Sequence, residues 1–400
     1  MLKAALIQIL STAYVGLISF VLTIFLARVF GPVDFGRYQF ALTVGSLFAL
    51  LQDGGFRSLL FRETAACSPG IDLNRLYAVA FFHLLFVTAL GIFFSLLGGS
   101  FLLALALVFF GLLVGSQWFS AYFKGRGSFY LEALWNSLFR TSTALVIYFC
   151  AQKASFSPKT AFEAAIAGAL LAYLFLPFYK IPFEPLLKYF SFKAFFFLYK
   201  LTLSFLLIDL FTQIYFRADI IMLKMLANYK AAGLYAAAYR LLEGVILAFT
   251  PIIYILAQRL RQKWTQIEAF KLLFLKALIC ILLVASMLSF LGYWGRDLIL
   301  VLYGKNFKGT PEIFVWLLGA LFFVLPNYLL TQTAIVLNQE RFYAINCAIL
   351  ALVNISLNLW FIPRFGAKGA AMTTLITEAL LALTLGYAIR GWLFHEKGDT

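Results

Sequence analysis

The chain has 400 residues, 63% of them hydrophobic and 12% charged, with a formal net charge of +15. Soluble domains hold roughly 45–50% apolar and about 25% charged residues, so this composition excludes an ordinary soluble enzyme or binding module and indicates an integral membrane protein. In such a chain the basic excess belongs first to cytoplasmic loops and anionic lipid headgroups, and second to an anionic substrate; nucleic acid is not an expected partner.

Apolar runs of about 20 residues, the length that crosses a hydrocarbon core, occur about twelve times, near residues 4–28, 37–61, 77–97, 100–123, 131–151, 161–181, 197–216, 231–257, 270–293, 311–337, 342–362 and 366–391. The first run is too long for a signal-peptide core and reads as a retained helix. The breaks carry Gly, Pro or clustered charge, as in "RVFGPVDFGR", "KASFSPKT", "YGKNFKGTPE" and "PRFGAKG". The longest break, 182–196, has two prolines followed by apolar residues with spaced Lys, the pattern of an amphipathic interfacial segment. The expected organisation is therefore an N-terminal six-helix bundle over 1–181, a cytoplasmic linker over 182–196 and a C-terminal six-helix bundle over 197–400. The 46 Phe and 20 Tyr suit lipid-facing and interfacial surfaces. Cys150, Cys280 and Cys347 fall in spans and Cys67 in a short loop, with no metal-like or redox spacing, so neither a disulfide nor a metal site is expected. Counted with the N-terminus inside, cytoplasmic segments hold about 17 Lys and Arg against about 12 outside, which places both termini in the cytoplasm.

The two halves echo one another weakly. Phe30–Leu42, "FGPVDFGRYQFAL", aligns with Ala227–Tyr239, "ANYKAAGLYAAAY", so that Gly36 and Tyr38 match Gly233 and Tyr235, and the same offset sets Arg62 opposite Arg259. Parallel repeats of this kind have their axis along the membrane normal and leave a central cavity between them.

Ionisable groups inside spans cost roughly 2.5–3.5 kcal/mol each on insertion scales and normally face water or a partner. Those here are Asp53, Arg57, Arg140, Asp209, Arg240, Glu243 and Glu378, with Arg217 and Asp219 near a helix end. Asp53 and Arg57 are four apart, Arg240 and Glu243 three apart, so each couple shares a helix face and can pair within it. Arg140 has no carboxylate three or four positions away and lies between Asn136 and Thr141; it is the strongest substrate candidate, with a cross-helix bond to Asp209 or Glu378 as the alternative. His83 reads as a packed helix residue. There is no Gly-rich nucleotide loop, no His/Cys cluster and no nucleophile elbow, so no enzyme activity and no cofactor are expected.

Taken together, "ARVFGPVDFGRYQFALTVGSLFALLQDGGFRSLLFRETA", "RADIIMLKMLANYKAAGLYAAAYRLLE", "LYGKNFKGT" and "IPRFGAKGAAMTTLITE" resemble the signatures of Wzx-type polysaccharide flippases of the multidrug/oligosaccharidyl-lipid/polysaccharide exporter superfamily. The matching positions include Gly31, Pro32, Phe35, Gly36, Tyr38, Asp53, Gly55, Arg62 and Glu63 in the first half and Arg217, Asp219, Gly233, Tyr235, Tyr239, Arg240 and Glu243 in the second. The second-half loop departs from the pattern, with Asn228 and Tyr229 where Gly-Pro is common. The resemblance implies a MATE-like, all-α polytopic fold of two six-helix bundles around a cavity. It also implies a substrate carried on polyprenyl pyrophosphate, flipped across the bacterial inner membrane by alternating access for assembly of a surface polysaccharide such as O-antigen. Under that reading Arg140 and Arg240 receive the pyrophosphate, because guanidinium forks match its oxygens, and Asn136, Gln213 and Tyr239 receive sugar hydroxyls. Asp53, Arg57, Asp209, Glu243 and Glu378 are coupling or gating candidates. Membrane lipids, a proton or sodium ion and a polysaccharide polymerase are the other expected partners. A multidrug exporter of the same superfamily is the nearest alternative, and a membrane glycan polymerase or ligase a more distant one.

Overall fold

A computed structural model of the chain describes residues 2–66, 72–179, 189–263 and 265–394. The Cys67 loop, the linker as far as residue 188, His395 and the side chain of Asp209 lie outside the described residues.

The helices are α1 (Leu2–Asp53), α2 (Phe56–Ala65), α3 (Leu73–Leu97), α4 (Phe101–Gly125), α5 (Phe129–Cys150), α6 (Pro158–Tyr173), α7 (Phe192–Leu226), α8 (Tyr229–Gln262), α9 (Ile267–Trp294), α10 (Leu298–Tyr303), α11 (Thr310–Val336), α12 (Glu340–Phe365) and α13 (Ala367–Phe394). Among the described residues there is no strand, and eight helices are long and apolar enough to cross a membrane. One of the eight, α1, is two rods joined at Gly31, whose backbone leaves the helical region just before Pro32. With α1 counted as two rods, α2 as the continuation of the second, and α10 as too short to cross, the expected spans appear as helices in the expected order. The all-α polytopic reading stands.

Local chemistry explains the punctuation. Ser157 and Thr160 form a reciprocal capping box at the start of α6, with Ser157 N donating to Thr160 Oγ1 at 2.6 Å and Pro158 in the first turn. At α8 the absent Gly-Pro is replaced by a different start signal: Asn228 is the N-cap, its Oδ1 accepting from Ala231 N at 2.9 Å. Large side chains such as Phe86, Phe290 and Tyr387 are exposed on α3, α9 and α13, as lipid-facing residues would be.

The chain forms two compact units, one of Met1–Phe30 with Arg37–Ile214, the other of Gly31–Gly36 with Tyr215–Thr400. In the first, α4 is central and packs on α2, α3, α5 and α6. Its core joins Phe56 and Leu60 of α2, Trp118 and Phe123 of α4, Trp135 and Phe139 of α5, and Leu198 near the start of α7. From Phe192 onward the segment read as interfacial is therefore helical, and it contributes to this core. In the second unit α11 is central, packed on α8, α9 and α13 through residues such as Leu321, Leu325 and Leu329.

Candidate functional site

The second expected span is not one continuous helix. It breaks at Gly54 (φ 58°) and Gly55 (φ 80°), a left-handed pair that L-residues with a Cβ adopt only under strain. A break inside a span leaves backbone groups without helical partners, and here side chains satisfy them. A ring nitrogen of His83 lies 2.7 Å from the Leu51 carbonyl oxygen, closing the end of α1. Asp53 Oδ1 accepts from the Arg57 backbone N at 3.2 Å and from Trp118 Nε1 at 2.7 Å, so the carboxylate caps the start of α2 and ties it to α4. Asp53 and Arg57, expected to pair along one helix face, are joined across the break by this backbone amide. The Arg57 guanidinium turns to α4, where Nη1 donates to Gln117 Oε1 at 3.1 Å. His83 is a buried helix residue with a structural partner, in line with the packed reading.

Arg57 and Gln117 line a cavity of about 1000 Å³ within the first unit. Its cationic residues are Arg57, Arg62, Lys124 and Arg140; Gln8, Ser58, Ser116, Ser120 and Asn136 add neutral polar groups, and among the described residues Glu132 is the one carboxylate on its lining. Arg62 also bonds its neighbour Glu63 at 2.8 Å. Of the residues assigned from the sequence, Asn136, Arg140 and Arg57 come together here, with Asp53 directly behind Arg57.

Glu132 organises one wall. It is 2% exposed and accepts from three helices: Gln8 Nε2 of α1 at 2.5 Å, Ser120 Oγ of α4 at 2.8 Å and Asn136 Nδ2 of α5 at 2.5 Å, with Lys124 Nζ at 3.2 Å. A carboxylate this buried is tolerated because its lone pairs are filled and a cation sits beside it. Glu132, Gln8, Lys124 and Gln117 are absent from the sequence assignment. Glu132 lies in the first turn of α5, where an acid reads as helix-terminus chemistry, and the only available signal was the polar run Ser116, Gln117, Ser120 inside an otherwise apolar span.

The remaining candidates lie in the second unit or on α7. Arg240 and Glu243 pair at 2.8 Å, as their spacing predicts, and both are about one-third exposed. The Tyr239 ring stacks on Tyr235 with centroids 5.7 Å apart. Glu378 is buried and accepts from Asn327 Nδ2 at 2.8 Å. Gln213 is half-buried on α7 and does not line the cavity of the first unit. Asp219, placed near a helix end by the sequence reading, is buried in this unit as Glu378 is. It accepts from Tyr235 Oη at 2.6 Å, Asn358 Nδ2 at 2.7 Å and Thr374 Oγ1 at 3.3 Å, all neutral groups.

Two helical units carrying membrane-length helices, one of them enclosing a strongly cationic cavity, define a multi-pass helical membrane protein. The structure titled lipid II flippase MurJ, inward closed conformation, matches with a TM-score of 0.79 at 17% identity over 96% of this chain and 87% of that one. An inward-facing multidrug resistance MATE family transporter of the MOP superfamily matches with a TM-score of 0.64 at 12% identity over 96% and 94%. A MOP superfamily transporter from Pyrococcus furiosus matches at 0.57 and 12% identity over 98% and 95%. No curated protein matches the sequence. The polysaccharide biosynthesis protein family matches residues 1–257, and the chain belongs to that family.

Proposed function

We propose that this protein flips an oligosaccharide linked to polyprenyl pyrophosphate across the bacterial inner membrane by alternating access, feeding assembly of a surface polysaccharide. The observation that carries the reading is the cavity of the first unit: among the described residues its lining has four cationic side chains and a single buried carboxylate, in a member of a polysaccharide biosynthesis family. Pyrophosphate is an anion rich in acceptor oxygens, and Arg57 and Arg140 offer guanidinium forks to it. A volume of about 1000 Å³ stands at the upper end of ligand pockets, roughly 300–1,000 Å³, and leaves space for sugar beside the phosphates. A cationic lining also favours this cargo over the cationic amphiphiles of a multidrug exporter.

In this reading both termini are cytoplasmic and residues 182–196 link the two halves. Arg240, with Glu243 beside it, is a second anion contact, and Gln213 and Tyr239 contact sugar hydroxyls. Coupling uses a carboxylate of the second unit. Asp219 joins Glu243 and Glu378 as a candidate for a proton or sodium ion, with Asp209 on α7 as a further one; among the described residues the donors to Asp219 are all neutral groups.

The test is replacement of Arg140 by Ala in a strain lacking its own flippase. Export of the glycan should stop and the lipid-linked unit should accumulate on the inner leaflet, with the protein inserted at normal levels. Full complementation by the variant removes Arg140 from the site.

A further inference from the structure

Glu132 fixes more than its own position. A carboxylate only accepts hydrogen bonds, so an amide side chain facing it must present its NH2 end. Gln8 and Asn136 both do so: Gln8 Nε2 reaches Glu132 Oε2 and Asn136 Nδ2 reaches Oε1. The second N–H of each amide is also engaged, that of Gln8 with the Phe129 carbonyl at 3.4 Å and that of Asn136 with Ser120 Oγ at 3.3 Å. Both amides are therefore locked in one orientation, with their carbonyl oxygens turned away from Glu132. Both residues line the cavity. Lys124, held by the same carboxylate, has part of its charge committed there.

The wall around Glu132 thus differs from the rest of the cavity. Arg57, Arg62 and Arg140 bring hydrogen-bond donors to the lining, whereas the groups that Gln8 and Asn136 keep free of the Glu132 contacts are the acceptors Oε1 and Oδ1. We infer that Glu132 is a positioning residue that makes this wall an acceptor surface, so that the sugar beside the pyrophosphate is selected for hydroxyl or amide N–H donors and against a carboxylate. The inference rests on the reading of the cavity as a pyrophosphate-sugar site and adds the class of the adjoining sugar: neutral, not a uronic acid. A site built to pair with a donor discriminates strongly against a group that cannot supply one, because its own buried polar atoms are left without partners.

The two expectations for this cavity diverge sharply. A merely cationic basin would hold an additional carboxylate more tightly. An acceptor wall would repel it.

The experiment measures binding of three compounds to the purified full-length protein in detergent: farnesyl pyrophosphate, farnesyl-pyrophosphoryl-glucose and farnesyl-pyrophosphoryl-glucuronic acid. The shared farnesyl chain makes micelle partitioning common to all three. The wild-type protein should favour the glucosyl over the glucuronosyl compound by about tenfold. In Glu132→Gln the new side chain has an NH2 of its own, which obliges a neighbouring amide to turn its oxygen inward and its NH2 toward the cavity. The preference should then fall to within about twofold or reverse. A purely structural role for Glu132 would change all three affinities together and leave their ratio intact. Asn136→Leu, which removes one of the two acceptors, should lower the same ratio and provides a second reading if the Glu132 variant does not fold. Tighter glucuronosyl binding by the wild type, or an unchanged ratio in the variants, overturns the inference while leaving the pyrophosphate site standing. Failure of all three compounds to bind overturns the pyrophosphate reading itself, and the inference with it.

Discussion

Gly36 and Gly233 meet backbone to backbone. A Cβ on Gly36 would fall 1.8 Å from the Tyr229 carbonyl oxygen and 3.0 Å from Gly233 N; a Cβ on Gly233 would fall 2.0 Å from the Pro32 carbonyl oxygen and 2.9 Å from Gly36 N. The two occupy equivalent positions in the internal echo of the sequence, so the repeat-related glycines are each other's packing partners. Here the obstacle on each side is backbone, which cannot swing aside as a flexible side chain can.

Gly36→Ala and Gly233→Ala should therefore each destabilise the protein by about 2 kcal/mol or more, at the upper part of the range for overpacking. Thermal unfolding in detergent would read this as a lowered Tm for each. The double variant should cost less than the sum, because the first substitution already separates the two segments. Simple additivity would mean that the two glycines do not share one contact.

The capping role of Asp53 predicts a specific coupling. Asp53→Ala leaves Trp118 Nε1, a buried donor, without its acceptor, at a cost of about 1–3 kcal/mol. In the Trp118→Phe background there is no indole N–H to strand, so the same change should cost less by about 1 kcal/mol. A cycle measured by chemical or thermal unfolding that returns no coupling would assign the Asp53 requirement to the α2 amide alone.

Gln117 lies against Arg57 and shapes its guanidinium. Gln117→Leu removes the acceptor at 3.1 Å without touching any charge. Affinity for farnesyl pyrophosphate should fall by about three- to tenfold, the loss of roughly one hydrogen bond's worth of orientation, with unchanged dependence on salt. A steeper or shallower salt dependence would indicate that the number of cations engaged had changed, and would place Gln117 in a different role.

For coupling, Asp219→Asn keeps the shape of the side chain and removes its charge. Transport of a lipid-linked glycan into vesicles should then lose its dependence on an imposed proton or sodium gradient, and uncoupled exchange should persist at a reduced rate. Gradient-driven accumulation by the variant would transfer the coupling role to Glu378, Glu243 or Asp209.

Much of the architecture is a local property of the chain. Spans can be read because the hydrocarbon thickness sets their length and backbone hydrogen bonding requires them to be helices. The Arg240–Glu243 pair can be read because a separation of three places both on one helix face. Arg140 and Asn136 stand out as polar residues in an apolar run, and they do line the cavity of the first unit. The break at Gly54–Gly55 was only half legible: two glycines permit a bend, but whether the helix opens depends on who receives the freed groups. Asp53 receives the Arg57 amide from four positions away, but His83, which meets the Leu51 carbonyl, and Trp118, which holds the Asp53 carboxylate, lie 32 and 65 residues from their partners in the chain.

Sequence alone therefore determined an all-helical, polytopic protein with the signature of a polysaccharide biosynthesis family, since hydropathy, helix period and turn chemistry act over a few residues. Tertiary structure alone decided which charges work together. Gln8 reaches Glu132 across 124 positions and Asn358 reaches Asp219 across 139. A buried carboxylate must collect its donors from whichever helices pack around it, and no spacing along the chain encodes that neighbourhood.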